Sequence, residues 1–152
     1  KGYFVIFLLI AIDLVAKYLA EEYLSFGQAV PLIPILDLLL VFNSGIAFSI
    51  LDFNNSFLSL SLSLIGLMIV AYLHSLYIKE ESSINRFSLI LIISGALGNI
   101  LDRLPDGVVT DFLFFHVGNT SFFIFNFADA FISIGAALFF LMEFKKFLQN
   151  RS

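Results

Sequence analysis

The side chains that could carry chemistry are concentrated between positions 98 and 129, in a chain that is otherwise very apolar. They are Asn99, Asp102, Arg103, Asp111, Asn126 and Asp129. A carboxylate at the centre of a membrane helix costs roughly 2.5–3.5 kcal/mol on insertion scales, so this concentration calls for a functional explanation. Two neighbouring carboxylates cannot both ionise easily, and such a pair therefore supplies an acid and a base. We expect Asp111 and Asp129 to form a pair of this kind and to activate water.

The spacing of the two aspartates leaves a structural alternative open. Asp129 could be a helix-end residue paired with Arg103, and Asp111 an ordinary solvated loop carboxylate. A non-enzymatic alternative is a proton or ion pathway, or a transporter, that uses the same charges. This alternative requires a polar path across the membrane. The halves of the predicted helices that lie away from the charged cluster contain few polar groups beyond His74, serines and Glu143.

Metal chemistry has weak support in the sequence. His116 could join Asp111 in a metal site, but the chain has no HExxH motif and no second suitably spaced histidine. The absence of cysteine also excludes thiolate ligands and a thiol nucleophile. We therefore predict no metal ion and no cofactor.

Composition indicates an integral membrane protein with one domain, residues 1–152. Of the 152 residues, 60% are apolar and only 13% are charged, which a water-exposed surface could hardly tolerate. Mean hydropathy is +1.00. There is no basic run that would bind nucleic acid.

Four segments are long and apolar enough to be membrane helices. A helix rises about 1.5 Å per residue, so about 20 residues cross the hydrocarbon core. The first segment resembles a signal peptide, but Asp13 interrupts its apolar run, and we expect a retained helix. The fold class predicted is a mainly α membrane protein, with helices near 2–20, 57–78, 87–104 and 122–147.

The basic residues predict the orientation of these helices. Six of them lie beside helix ends on one side, which the positive-inside rule makes cytoplasmic: Lys1, Lys79, Arg86, Lys145, Lys146 and Arg151. Both termini are then cytoplasmic, and segments 21–56 and 105–121 are extracytoplasmic.

The two remaining cations, Lys17 and Arg103, are expected at the outer helix ends. Counting 16 or 17 residues from the inner anchors brings Lys17, Arg103 and Asp129 to a similar height. Asp13 precedes Lys17 by four residues, so the two can pair on one helix face. The same spacing joins Asn99 to Arg103, and Asn126 lies three residues before Asp129. Asp102 beside Arg103 is interpreted as a pair that holds the end of the third helix.

The outer segments predict a small β-hairpin or cradle. The run ILDLLLVF, the turn NSG and the run IAFSIL resemble two apolar strands around a turn. Asn43 either caps that turn or offers its amide to a substrate. In the second segment, GVVTDFLFF places Asp111 on a short extended or irregular piece facing the helices, and VGNTS predicts a turn into the fourth helix.

The sequence resembles the bacterial lipoprotein signal peptidases, the type II signal peptidases, which are intramembrane aspartic proteases. The resemblance covers nearly the whole chain. It is carried by five blocks: IDLVAK with Asp13 and Lys17, NSGIAF from Asn43, GALGNILDR ending at Arg103, VVTDF around Asp111, and FNFADAF around Asn126 and Asp129. Two positions depart from the family: Leu14 replaces the usual Gln, and TSFFIFN lacks the usual Trp and Pro. These departures concern substrate positioning more than the reaction.

The resemblance implies that Asp111 and Asp129 are the catalytic aspartates. It further implies that the enzyme cleaves prolipoproteins on the amino side of a diacylglyceryl-modified cysteine, in the bacterial cytoplasmic (inner) membrane near its extracytoplasmic face. Membrane lipid and globomycin-type cyclic peptides would be further ligands, and a monomer is expected. The supporting or substrate-contacting residues implied are Asn99, Arg103, Asn126, Asn43, Gly45, Asp13 and Lys17.

Helix counting adds an expectation about motion. Asp129 is predicted on a rigid helix and Asp111 on a more mobile outer segment. We therefore expect the pair to be assembled from one rigid and one flexible element, with the hairpin around Asn43 closing over bound substrate.

Overall fold

The computed structural model describes residues 1–45 and 55–151, which form four α-helices and one antiparallel β-sheet. In chain order the elements are α1 (Gly2–Tyr23), β1 (Val30–Ile33), β2 (Leu36–Asn43), α2 (Asn55–Lys79), α3 (Ser83–Asp106), β3 (Val109–Val117), β4 (Thr120–Phe125) and α4 (Phe127–Gln149). The predicted mainly α fold with four helices and a small sheet is confirmed.

All four helices are long and apolar enough to cross a membrane, and α3 lies at their centre. In the most apolar stretch of α3, 56% of the residues are buried, against 11% to 22% in the other three helices. The three helices around α3 instead expose large apolar side chains such as Phe4, Phe7, Met68 and Phe140. Such surfaces suit contact with lipid, so the chain has the architecture of a multi-pass membrane protein.

Helices α3 and α4 approach each other closely at Gly95. A Cβ atom at this position would lie 2.2 Å from the carbonyl oxygen of Ala128 and 2.8 Å from a side-chain carbon of Ile132. Small residues let membrane helices pack backbone to backbone, where close van der Waals contact replaces the hydrophobic effect. This contact places the first turn of α4 against the middle of α3.

The sheet joins the two outer segments of the chain. Its strand order is β1-β2-β3-β4, and every neighbouring pair is antiparallel. The register of β2 against β3 places Val41 opposite Asp111 and Asn43 opposite Val109. An apolar core fixes the sheet against the end of α1, and Ala20, Leu40, Phe112 and Leu113 lie at its centre.

The prediction for the start of the fourth helix is wrong. Residues from Thr120 to Phe125 form β4, which pairs with β3, and α4 begins only at Phe127. A short apolar aromatic run suits a strand and a helix equally well, so the neighbouring strand decides. The turn after Val117 therefore leads into a strand rather than directly into a helix.

One strand of the predicted hairpin is confirmed, and its predicted partner lies outside the described residues. The run ILDLLLVF contributes β2, but β2 forms its hairpin with β1 through a turn at Pro34 and Ile35. Its other edge pairs with β3 from the distant outer segment. The second predicted strand, residues 46–51, lies outside the described residues. The other three helices are longer than predicted by up to four residues at an end, because polar termini continue each helix beyond its apolar run.

We expect Gly95→Leu to destabilise the protein by about 2 kcal/mol or more, because the added side chain overlaps the α4 backbone. Thermal unfolding of the purified protein in detergent measures the effect. Ala137→Leu, on an exposed face of α4, is the matched control and should unfold within a degree or two of the parent. Equal unfolding temperatures for the two variants would contradict the close α3–α4 contact.

Candidate active site

A buried lysine organises the polar residues at one end of the helices. Lys17 is only 1% exposed, and its Nζ contacts Asp13 Oδ2 at 2.9 Å and Asp102 Oδ2 at 3.2 Å. Nζ also donates a hydrogen bond to Asn99 Oδ1 at 2.8 Å. A buried ammonium is tolerated only when it is paired and hydrogen-bonded, and Lys17 has two carboxylates for ion pairs and one amide oxygen as hydrogen-bond acceptor. The predicted contact of Asp13 with Lys17 is present, and Lys17 also joins α1 to α3.

Asp13 extends the same network to α4. Its Oδ1 accepts a hydrogen bond of 2.8 Å from the backbone N–H of Ala128, in the first turn of that helix. The first N–H groups of a helix have no partner within the helix, and a carboxylate there is also favoured by the helix dipole. Asp13 thus connects the first and last helices through one carboxylate.

Asn99 connects Lys17 to Asp129. Its Oδ1 must face Lys17, because an ammonium can only donate, and its Nδ2 therefore faces Asp129. The hydrogen bond from Nδ2 to Asp129 Oδ1 is 2.7 Å long. The contact expected between Asn99 and Arg103 is replaced by this bridge.

Asn126 contacts both candidate catalytic aspartates. Its Oδ1 accepts from the backbone N–H of Asp129 at 2.9 Å, while its own N–H donates to Asp129 Oδ2 at 3.3 Å. The two residues thus form a capping box at the start of α4. The side-chain Nδ2 of Asn126 donates to Asp111 Oδ1 at 2.7 Å. One buried asparagine therefore holds Asp111 beside the first turn of α4.

Asn43 supplies the second hydrogen bond to Asp111. Its Nδ2 donates to Asp111 Oδ2 at 3.0 Å, and its Oδ1 accepts from the N–H of Gly45 at 2.8 Å. The amide therefore both caps the turn and contacts a carboxylate of the site. Gly45 has φ +84, and a Cβ there would lie 2.5 Å from Leu62 Cδ1, so glycine suits this position for two reasons.

Asp111 is 3% exposed and lies on β3, with paired strands on both sides. Burial raises the pKa of Asp111 to about 6, and the negative charge of Asp129 acts in the same direction. The hydrogen bonds from Asn43 and Asn126 lower the pKa and oppose this shift only in part. Strand β3 has nine residues, which agrees with the extended alternative predicted for this segment, while its predicted mobility stays a prediction.

Arg103 has no carboxylate partner at ion-pair distance within residues 1–45 and 55–151. The predicted pair with Asp102 is not formed, because Asp102 contacts Lys17 and accepts from the backbone N–H of Thr110 at 2.8 Å. The alternative pair with Asp129 is not formed either. A Cβ atom at Gly45 would lie 3.5 Å from Arg103 Nη2, which places the guanidinium beside the turn that Asn43 caps.

Thr110 and Glu21 belong to the network and were not predicted. Thr110 Oγ1 donates to Glu21 Oε1 at 2.5 Å, and its carbonyl oxygen accepts from Asn126 Nδ2 at 3.4 Å. The backbone N–H of Thr110 also bonds to Asp102. These contacts fix Thr110, which precedes Asp111, to α1 and α3. The only sequence signal was a hydroxyl in an otherwise apolar strand, which does not identify its partner.

His116 lies away from Asp111. Its Nε2 is 3.3 Å from Asp37 Oδ1 on the neighbouring strand, and its Nδ1 is 3.2 Å from the carbonyl oxygen of Gly118. Among the residues that the structure describes, no group of three His, Asp or Glu side chains is arranged to hold a metal ion.

An open cavity of about 440 Å³ on the sheet leads to Asp111. Asn43 and Ser44 form one wall, and Phe114, Phe122 and Phe123 contribute aromatic surface. The cavity thus combines an apolar lining with a buried carboxyl group that has a raised pKa, as many ligand sites do. An extended peptide could lie along it and present a backbone carbonyl to Asp111.

Comparison with known sequences identifies relatives of this chain. A family model described as signal peptidase (SPase) II matches residues 5–145. The lipoprotein signal peptidases of Brucella ovis and Brucella canis are each 39% identical to it over 150 residues. These alignments cover 97% of this chain and 92% of each relative.

Two solved structures share the fold. Both are bacterial membrane enzyme structures determined by the in meso method. The one at 2.3 Å resolution has a TM-score of 0.84 and 27% sequence identity, covering 99% of this chain and 91% of that chain. The one at 1.9 Å resolution has a TM-score of 0.82 and 27% identity, covering 93% and 90%. With the family match over residues 5–145 and relatives at 39% identity, the chain belongs to the signal peptidase II family.

Proposed function

We propose that this chain is an intramembrane aspartic endopeptidase that removes signal peptides from diacylglyceryl-modified prolipoproteins. It cuts on the amino side of the lipidated cysteine. The observation that carries the proposal is the contact of Asn126 with both Asp111 and Asp129, which gathers two carboxyl groups at the start of α4. Membership of the signal peptidase II family supplies the substrate class.

The two aspartates have different roles in this mechanism. Asp111 is the more buried, and its raised pKa makes it the holder of the proton that the pair shares. Asp129 accepts hydrogen bonds from Asn99 Nδ2 and from the N–H of Asn126, which suits the ionised member. The acid is thus Asp111 and the base is Asp129.

Peptide cleavage then proceeds in two steps. Asp129 takes a proton from a water molecule as the water oxygen bonds to the scissile carbonyl carbon, while Asp111 donates its proton to the carbonyl oxygen. The tetrahedral intermediate collapses as the C–N bond breaks. The proton on Asp129 passes to the leaving amine of the lipidated cysteine, and the proton on the oxygen returns to Asp111. Both groups regain their starting states, so no cofactor is required.

The location of the catalytic dyad, Asp111 and Asp129, suits a lipid-anchored substrate. The positive-inside pattern orients the sheet end of the helices toward the extracytoplasmic face of the bacterial cytoplasmic membrane. The diacylglyceryl anchor would confine the prolipoprotein to the bilayer, so the scissile bond reaches the dyad at the depth of the lipid headgroups. A monomer contains every residue named, and a globomycin-type cyclic peptide would compete for the cavity at Asp111.

A proton or ion pathway has less support. Below the polar network, the core between α1, α2 and α3 is apolar, with Ile6, Leu89, Ile90 and Ile93 buried in it. The buried hydroxyls of Ser88 and Ser94 donate to carbonyl oxygens of their own helix, at Ile84 and Ile90. These groups do not form a path toward the opposite face.

Asp111→Asn and Asp129→Asn should each reduce cleavage of a lipidated prolipoprotein by roughly 10²–10⁴-fold or more, since each removes one partner in proton transfer. The shift of the product band on a gel, with purified protein, measures the rate. Asp37→Asn is the matched control, because Asp37 pairs with His116 away from the dyad. Near-normal cleavage by either dyad variant in folded form would show that the assignment is wrong.

The pH profile tests the assignment of the acid. Because Asp111 must be protonated, kcat/KM should fall as the pH rises through its raised pKa, which is about 6 in the free protein. The amide of Asn43 lowers that pKa, so Asn43→Ala should raise it and move the falling limb to higher pH. Asp37→Asn should leave the limb in place. If Asp111 were instead the base, kcat/KM would rise with pH through its pKa, and Asn43→Ala would move the rising limb, not the falling limb, to higher pH.

A further inference from the structure

A polar cavity of about 250 Å³ lies between the outer ends of α2 and α3, close to the proposed dyad but separate from the sheet cavity. Ser59 and Ser63 contribute from α2, and Arg103 contributes from α3. Leu60 and Leu104 also line it and are more than half exposed, so the rim of the cavity is apolar.

The two serines are unusual for their helix. Ser59 and Ser63 are 7% and 4% exposed, although only 11% of the most apolar stretch of α2 is buried. They are one turn apart and share a face. Serine in a membrane helix commonly donates to a carbonyl of the preceding turn, as Ser61 does to Phe57 at 2.8 Å. The hydroxyl groups of Ser59 and Ser63 form no hydrogen bond with any other residue that the structure describes.

Arg103 also has unused donor capacity. Its Nε is buried without a hydrogen-bond partner, and no ion pair engages the guanidinium in the described part of the chain. Guanidinium donors require oxygen acceptors, and leaving a buried donor without one is unfavourable. The cavity therefore collects the Nε of a guanidinium and two hydroxyls that have no hydrogen-bond acceptor among the described residues.

The complementary ligand has several acceptor oxygens next to apolar chains. A lipid ester and a lipid phosphate both fit that description, but charge favours the neutral group. Arg103 and Asp106 both line the cavity, so the charges of its lining residues cancel. An anionic phosphate would face the carboxylate of Asp106, whereas ester carbonyls would not be repelled.

We propose that this cavity binds the ester groups of the substrate's diacylglyceryl moiety, with Ser59, Ser63 and Arg103 as donors to the ester oxygens. The inference builds on the proposed function and adds a lipid subsite to it. The lipid is carried by the residue that follows the scissile bond, so its polar end must lie beside the dyad. Arg103 meets this condition, because it lines the cavity and its Nη2 would lie 3.5 Å from a Cβ atom at Gly45. The N–H of Gly45 bonds to Asn43, which donates to Asp111.

The test pairs a double variant with a change in the lipid. Ser59→Ala with Ser63→Ala removes both hydroxyls and leaves Arg103 and the dyad intact. Two prolipoprotein peptides are compared: one with the natural diester and one with ether links, which lack the carbonyl acceptors. We expect the wild type to show an about tenfold higher KM for the ether substrate, with kcat within about twofold.

In the double variant, the KM for the ester substrate should rise by about tenfold and the ester–ether difference should shrink toward one. Ser61→Ala is the matched control on the same helix, because the Ser61 hydroxyl bonds within α2, and it should behave as the wild type does. If the double variant does not fold, Ser63→Ala alone and the ether substrate with wild-type protein provide the same comparison.

The outcomes separate the two proposals. Cleavage of both substrates with equal KM, unchanged in the serine variant, would overturn the lipid subsite and leave the peptidase proposal standing. If short-chain phosphatidic acid competes with wild type but not with the double variant, while short-chain diacylglycerol competes with neither, the cavity is a phosphate site and the ester assignment is wrong. Failure of the wild type to cleave either substrate would overturn the proposed function itself, and the subsite with it.

Discussion

The buried ammonium of Lys17 is the constraint on which the rest of the site depends. Moving an ammonium out of water costs several kcal/mol, and the cost is recovered only if the charge is paired and hydrogen-bonded. Asp13 and Asp102 supply the negative charges and Asn99 the hydrogen-bond acceptor, from α1 and α3. The relative depth and rotation of these two helices are therefore coupled to one charge. Through Asn99, the same charge also fixes the orientation of an amide that reaches Asp129.

Neutral amides, rather than cations, make the direct contacts to the two aspartates. Asn43 and Asn126 donate to Asp111, and Asn99 donates to Asp129. A cation at hydrogen-bond distance would favour two ionised carboxylates, whereas an amide fixes geometry with a weaker effect on charge. Burial can therefore keep the pKa of Asp111 raised. Such a balance suits a pair that must hold one proton between its members.

The change from strand to helix at Asn126 brings the two carboxyl groups together. Strand β4 lies beside β3, which carries Asp111, and α4 starts at the end of β4. Asp129 is the third residue of that helix, so the capping box and the bridge to Asp111 share one asparagine. The close approach of α3 and α4 at Gly95 then holds this first helical turn against the centre of the helix bundle. Sheet and helices thus determine the site jointly.

The sequence by itself determined the four helices, the placement of the polar groups at one helix end and the pairing of Asp13 with Lys17. These features follow from local quantities: the length of an apolar run, its interruption by charge and the four-residue periodicity of a helix. The sequence suggested Asp111 and Asp129 as a pair, but two carboxylates 18 positions apart are not linked by any local rule, so family resemblance rather than spacing favoured the pair over the structural alternative. Only the tertiary structure decided that residues 120–125 form a strand, that Asp102 contacts Lys17 instead of Arg103, and that Thr110 reaches Glu21. Each of these depends on which surfaces meet across long stretches of chain, where several partners are chemically equivalent and packing selects one.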